Sequence, residues 1–252
     1  MAIEQWTDEA HGLAPHCVGG GHIVPHAAGH RLTLPSNTGA TYGVAQLDDY
    51  RALPRDAFPC RPPRRLRLRA RFSHGQAELR GTAGFGWWNA PFEADRAATA
   101  SVGPKALWFF FASPPSNLAV GTGWGGNGFF AQSLNTPDLP AWSMRWARRM
   151  MRLPFVARLM RMGGGAASRA AERPLPTLSL TEWHDYDIVW RHDAATFRVD
   201  GEVVLHVPSP PAGPLGLVLW IDNQWATVSG ESGVLAVRHE SWVEIEGLEL
   251  ES

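Results

Sequence analysis

The clearest alternation of polar and apolar positions lies in Arg65-Leu66-Arg67-Leu68-Arg69-Ala70-Arg71-Phe72, with apolar residues at 66, 68, 70 and 72 and arginine at every odd position. A period of two predicts a strand with one buried and one wet face. Further strands are predicted at 31–34, 41–47, 81–89, 105–112, 183–191, 195–200, 202–207, 215–222 and 241–250, punctuated by 26 glycines and 20 prolines. Asp200-Gly201 separates Thr196-Phe197-Arg198-Val199 from Glu202-Val203-Val204-Leu205, the signature of a type I′ hairpin. No helical period recurs between the strands, so a parallel α/β sheet is not expected and an all-β antiparallel sandwich, or jelly roll, is.

One segment breaks this pattern. Trp142, Trp146, Met150 and Leu153 fall on one helical face, and Arg145, Arg148, Arg149 and Arg152 cover the rest. Pro154 interrupts the period, a second short piece runs from Phe155 to Met162, and Gly163-Gly164-Gly165 stops it. The Gly-, Ala- and Pro-rich stretch 163–176 then reads as a return loop.

The length of 252 residues suits one jelly-roll domain, 1–252, carrying an arginine-rich helical insertion at 141–173. Charge sharpens that division. The formal net charge is −1, yet residues 144–173 hold eight arginines against one acid, Glu172, a local +7 that leaves −8 for the remainder. No run approaches the roughly 18–20 apolar residues of a spanning helix. The start of the chain is acidic and lacks the apolar core of a secretory leader. Cys17 and Cys60 make no disulfide framework, so a reducing cytoplasm is the expected compartment.

Three stretches, in order, carry a resemblance: 66–72 followed by Gly81-Thr82-Ala83-Gly84-Phe85-Gly86-Trp87-Trp88; Glu182-Trp183-His184-Asp185-Tyr186-Asp187-Ile188-Val189-Trp190 running into Phe197-Arg198-Val199-Asp200-Gly201; and Trp242-Val243-Glu244-Ile245-Glu246-Gly247-Leu248. They resemble the family-16 glycoside hydrolases of the concanavalin A-like superfamily, the second matching that family's W-H-x-Y-x-I-x-W strand and V-D-G hairpin. The resemblance covers most of 60–250 and leaves the first 60 residues and the basic insertion unmatched. It implies a jelly roll with one concave sheet forming a cleft.

Retaining members of that family carry E-x-D-x-E or E-x-D-x-x-E on a cleft strand, supplying nucleophile and acid/base. The counterpart here, Lys105-Ala106-Leu107-Trp108-Phe109-Phe110-Phe111-Ala112, has no carboxylate, and Glu93-Ala94-Asp95 is followed by Ala97 and Ala98 where a final glutamate would stand. The family's hydrolysis is therefore not carried over to this chain.

The candidate site is an aromatic cleft. Of 12 tryptophans, Trp87, Trp88, Trp108, Trp220 and Trp225 lie on or beside cleft strands, about half of them expected to face the groove, with the parity left open. Asn89, Asn223 and Gln224 add polar groups, in the mixture common to small-molecule sites; an internally satisfied network is the structural alternative. Asp222 among indoles would have a raised pKa and serve as acid or base, with His184 as titrating companion, although the family pattern gives His184 a structural role.

His11, His16, His22, His26 and His30 are irregularly spaced, so no metal site is assigned. No cofactor is implied. The odd-position arginines form a wet sheet face without interleaved aromatics, so no nucleic-acid partner is expected.

Three functions follow. The preferred one is binding of an amphipathic organic molecule or glycan in the aromatic cleft, with the insertion (Trp142, Arg145, Trp146, Arg149, Met150) as a lid. The second is a non-glycosidase enzyme, an isomerase, cyclase or lyase, using Asp222 for proton transfer. The third is docking of the insertion on an anionic membrane surface.

Overall fold

The computed structural model describes residues 12–26, 28–91, 103–119, 124–137, 170–227 and 231–252. Strands are numbered in chain order. The first sheet orders β1 (Ala14–Val18), β4 (Val44–Asp48), β13 (Gly216–Asp222), β6 (Thr82–Trp88), β7 (Lys105–Ala112), β8 (Gly128–Asn135) and β9 (Ala171–Pro174), all antiparallel. The second orders β12 (Glu202–Pro208), β11 (Ala194–Val199), β10 (His184–Trp190), β5 (Arg64–Phe72), β16 (Ser241–Glu251), β3 (Gly29–Leu34) and β2 (His22–His26), also antiparallel. A small hairpin, β14 (Gln224–Ala226) with β15 (Ser232–Val234), follows β13.

The sandwich closes because alternation puts one face of each sheet inward. Leu66, Leu68, Ala70 and Phe72 of β5 join Phe85, Trp87, Phe109, Phe111, Phe129, Leu217, Leu219 and Ile221 of the first sheet in one core. The β11–β12 turn has positive φ at both Asp200 (51°) and Gly201 (82°), as a type I′ turn requires.

Arg65, Arg67, Arg69 and Arg71 of β5 face outward and each meets a carboxylate. Arg65 makes two 3.0 Å bonds to Asp187, Arg67 meets Glu249 at 3.3 Å, Arg69 meets Asp185 at 3.4 Å, and Arg71 meets Glu244 at 2.7 Å. Glu244 is completely buried beneath Arg71, Arg31 and His26. Burial pushes its carboxyl up, but the guanidinium bonds outweigh this and hold it below the usual range. The guanidiniums of Arg31 and Arg71 also lie over the Trp242 ring, and those of Arg69 and Arg71 over Trp183. That sheet face is thus charge-matched, not simply solvated.

The expected insertion falls on residues outside the described set, apart from its end. There the expectation is corrected: 171–174, assigned to the insertion and its return loop, form edge strand β9, because Glu172 pairs with Gln132 and Arg173 with Ala131. Strands β1, β2, β8, β9, β14 and β15 were not predicted. Among the described residues no helix is long and apolar enough to cross a membrane, and the only helical element is the 3₁₀ turn Arg55–Ala57.

Candidate ligand-binding face

On the first sheet, register and alternation fix which side chains point away from the sandwich core. Two adjacent rows run across it: Gln46, Trp220, Gly84, Phe110 and Phe130, then Asp48, Val218, Gly86, Trp108, Gln132 and Glu172. Asp222, Thr82 and Ala112 form the next row on one side, and Trp88, Ala106 and Leu134 on the other.

The centre is a continuous aromatic belt. Ring centroids are separated by 5.8 Å for Trp88–Trp108, 5.7 Å for Trp108–Trp220, 5.3 Å for Phe110–Trp220, 5.3 Å for Phe110–Phe130 and 4.8 Å for Phe130–Trp124. Tyr50 and Phe58, from the turn after β4, pack at its Trp88 end. Gly84 makes room: a Cβ there would meet Trp220 Cη2 at 2.9 Å and the Phe109 carbonyl oxygen at 2.3 Å. Trp108, Phe110 and Trp220 retain 6–7% exposure, so the belt is a packed floor and not an open, wet groove.

Polar groups flank it on both sides. Trp108 Nε1 donates to Gln132 (2.8 Å), Gln132 Nε2 donates to Glu172 (2.6 Å), and Trp124 Nε1 donates to the other Glu172 oxygen (3.1 Å). Across the belt, Gln46 Nε2 donates to Asp48 (2.8 Å) and to the Tyr50 hydroxyl (3.2 Å), while Arg51 holds Asp48 through its backbone and guanidinium.

Asp222 sits at the end of β13. Its Oδ1 accepts from Thr82 N (3.1 Å), Thr82 Oγ1 (2.8 Å) and Gln224 N (2.9 Å); its Oδ2 receives the Tyr42 hydroxyl at 3.4 Å. Trp220 Nε1 donates to the same Thr82 hydroxyl at 2.9 Å, which links the indole floor to the carboxyl. Burial is the largest influence on Asp222 and pushes it from 3.8 to about 6, against the lowering effect of those bonds.

Trp88, Trp108 and Trp220 therefore share the outer face with Asp222. Trp87 does not: it lies in the sandwich core, 5.4 Å from Trp190. Asn89 anchors a loop, accepting from Lys105 N and donating to Gly103 O, both at 2.9 Å. Asn223 is fully buried, accepting from Gly43 N and donating to Thr41 O and Leu235 O. Gln224 is exposed, and Trp225 lies half-buried on the small hairpin, against Gly233.

His184 is on the other sheet, held by Asp200 at 2.6 Å and the Ser179 carbonyl at 3.0 Å. It is no companion to Asp222; its two ring nitrogens are committed to Asp200, across the β10–β11 pair, and to the Ser179 carbonyl in the turn before β10.

Trp142, Arg145, Trp146, Arg149 and Met150 lie outside the described residues. Among the described residues no three potential metal ligands converge. Tyr42, Thr82, Gln46, Gln132, Glu172 and Trp124 were not anticipated; strand alternation would have found Gln132 beside Trp108 had β8 been predicted.

The outer face of β7 presents Ala106, Trp108, Phe110 and Ala112. Three acids of the described residues share the face: Asp48, Asp222 and Glu172. Asp222 and Glu172 are four strand spacings apart, about 19 Å at ~4.8 Å per strand, where paired glycosidase carboxylates stand ~5–9.5 Å apart.

Two facing antiparallel sheets with an aromatic outer floor define a jelly-roll sandwich of the concanavalin A-like type, the fold of the family-16 glycoside hydrolases. Solved structures similar to the chain include a Crh5 transglycosylase in complex with NAG (13% identity, TM-score 0.51, 98% of this chain and 82% of that one). An endo-acting O-glycanase of the human gut microbiota is similar at 12% identity, TM-score 0.51, 98% and 95%. A laminarinase from Flavobacterium sp. UMI-01 is similar at 10% identity, TM-score 0.50, 91% and 81%. No protein-family model matches the chain, and no curated protein does.

Proposed function

We propose that the protein binds an amphipathic organic molecule or a glycan on the aromatic floor of the first sheet and is not a retaining glycosidase. The observation that carries this is the outer face of β7, where Trp108 and Phe110 join Trp88 and Trp220 in one continuous aromatic surface that bears no carboxylate on that strand. Aromatic faces bordered by Gln46, Gln132 and Glu172 suit a ligand with an apolar surface and a polar edge. The Trp88 indole N–H is buried and has no hydrogen-bond partner among the described residues, leaving a donor for a ligand. Fold neighbours that act on glycans favour the same reading.

Tryptophan fluorescence tests it. Titration with laminarin and with hexyl β-glucoside should change the emission saturably for at least one of them, and Trp88→Phe should weaken that binding. Absence of a saturable change with these ligands and with hexyl amphiphiles of other head groups, or measurable laminarin hydrolysis, would overturn the proposal.

A second reading is favoured by one observation, the buried Asp222 carboxyl, pushed up to about 6 by burial, beside the Tyr42 hydroxyl. In that reading Asp222 transfers a proton to or from a bound substrate. Asp222→Asn would then abolish turnover, and a binding protein would show no turnover to lose.

A further inference from the structure

We infer that the corner formed by Asp222, Tyr42 and Trp220 is a subsite for an organic cation, so that the ligand of the aromatic floor carries an ammonium head. This rests on the ligand-binding reading above and narrows it to one class of ligand.

The first support is a comparison of carboxylates. Asp48 is bonded by Arg51, Asp187 by Arg65 and Arg198, and Glu244 by Arg31 and Arg71. Asp222 is buried to a comparable degree, yet every group that bonds it is neutral: Thr82, the Gln224 backbone and Tyr42. A buried carboxylate is costly unless a cation meets it.

The second support is the geometry of the two oxygens. Oδ1 takes three donors at 2.8–3.1 Å, while Oδ2 has only the Tyr42 hydroxyl at 3.4 Å. That is well beyond the ~2.7–2.8 Å of a good O–H···O bond. One lobe of the carboxylate is thus left for a further partner, at the side where Tyr42 is more than a third exposed.

The third support is the aromatic company. Trp220 is bonded to Asp222 through the Thr82 hydroxyl and continues into Trp108 and Phe110. Indole faces attract a cation within ~6 Å of the ring, most strongly a poorly hydrated quaternary ammonium. A carboxylate beside such rings attracts the same head and repels an anionic one. Asp49 also lacks a cationic partner, but its oxygens are spent on the Leu217 N–H and the Cys60 thiol, inside the packing.

Three probes with one tail and different heads decide the matter: hexyltrimethylammonium, hexyl β-glucoside and hexanesulfonate, titrated at about pH 7.5 by calorimetry and tryptophan fluorescence, with laminarin alongside. The ammonium should bind at least ~tenfold tighter than the glucoside, and the sulfonate more weakly still. Asp222→Asn should remove the ammonium preference, bringing the ammonium and glucoside affinities to within about twofold of each other. In the unaltered protein at about pH 6, ammonium binding should release protons, read as a dependence of the observed heat on the buffer's ionisation enthalpy.

Equal affinity for the three heads, or a preference that survives Asp222→Asn, overturns the inference. Binding of the glucoside or laminarin without an ammonium preference overturns it while the binding reading stands. If none of the four binds, the binding reading falls and this inference with it.

Discussion

Asp222→Asn should stabilise the fold above about pH 6 and leave it unchanged near pH 4. Burial raises the folded-state carboxyl from 3.8 to about 6. Between those values the folded chain holds a proton that the unfolded chain has released, so stability falls as pH rises through the window and is level above it. That rise from 3.8 to about 6, at ~1.36 kcal/mol per pH unit, makes ionising this group cost about 3 kcal/mol. Asparagine has the shape of the protonated acid: its oxygen can accept the Thr82 and Gln224 donors, and its amide can donate to the Tyr42 oxygen. Urea titrations followed by tryptophan emission should therefore coincide at about pH 4 and separate by up to about 3 kcal/mol, in the variant's favour, at about pH 7.5. Asp49, also raised to about 6 by burial, contributes the same slope to both proteins and cancels in the difference. A variant less stable than the parent at the higher pH, or a gap that ignores pH, would refute the reasoning.

Gly84→Ala should lower the urea midpoint by the equivalent of about 1–3 kcal/mol, because the added Cβ meets Trp220 and the β7 backbone; it should also weaken ligand-induced quenching, and an unchanged midpoint would count against the packed floor. Glu244→Gln should cost about 2 kcal/mol, since one amide oxygen cannot serve Arg31 and Arg71 together and both guanidiniums are partly exposed; ligand affinity, read in the same fluorescence assay, should not change. The arginine-rich stretch before β9 should draw the chain to vesicles containing anionic lipid. Removing residues 141–169 should abolish co-sedimentation, and equal partitioning of both chains would eliminate the membrane reading.

The face of charged pairs on the second sheet and the aromatic face on the first differ in how they are specified. On β5 the arginines stand opposite Asp185 and Asp187 on one side and Glu244 and Glu249 on the other, so each cross-strand pair fixes register as well as solubility. On β6 and β7 the outward positions are glycine, tryptophan, phenylalanine and alanine, which pin nothing by charge. Their register depends on fit, with Trp220 over Gly84 as the clearest instance. The sheet that carries stability by charge matching is thereby separated from the sheet that carries the proposed binding surface, and substitutions on one should leave the other's role intact.

The same contrast decides how much could be read from the chain. Strand β5 announced both its existence and its parity, because arginine alternates with leucine. Strand β13 announced only its existence: Val218 and Trp220 face outward, Leu217, Leu219 and Ile221 inward, and all five are apolar. Trp87 and Trp88 are neighbours of one kind, and only the pairing of Trp88 with Gly216 and Ala106 in the outer row places it on the floor. The polar candidates separated by a different rule. Asn89 and Asn223 each carry a donor and an acceptor that backbone groups satisfy, so a loop end next to them is sufficient explanation. His184 likewise spends both ring nitrogens within its own hairpin and the preceding turn. Asp222 has two acceptor oxygens and no donor, and local donors fill only one of them well. A polar residue in an apolar strand is a candidate for a site when its local partners leave part of its capacity unused, and of the four only Asp222 meets that condition.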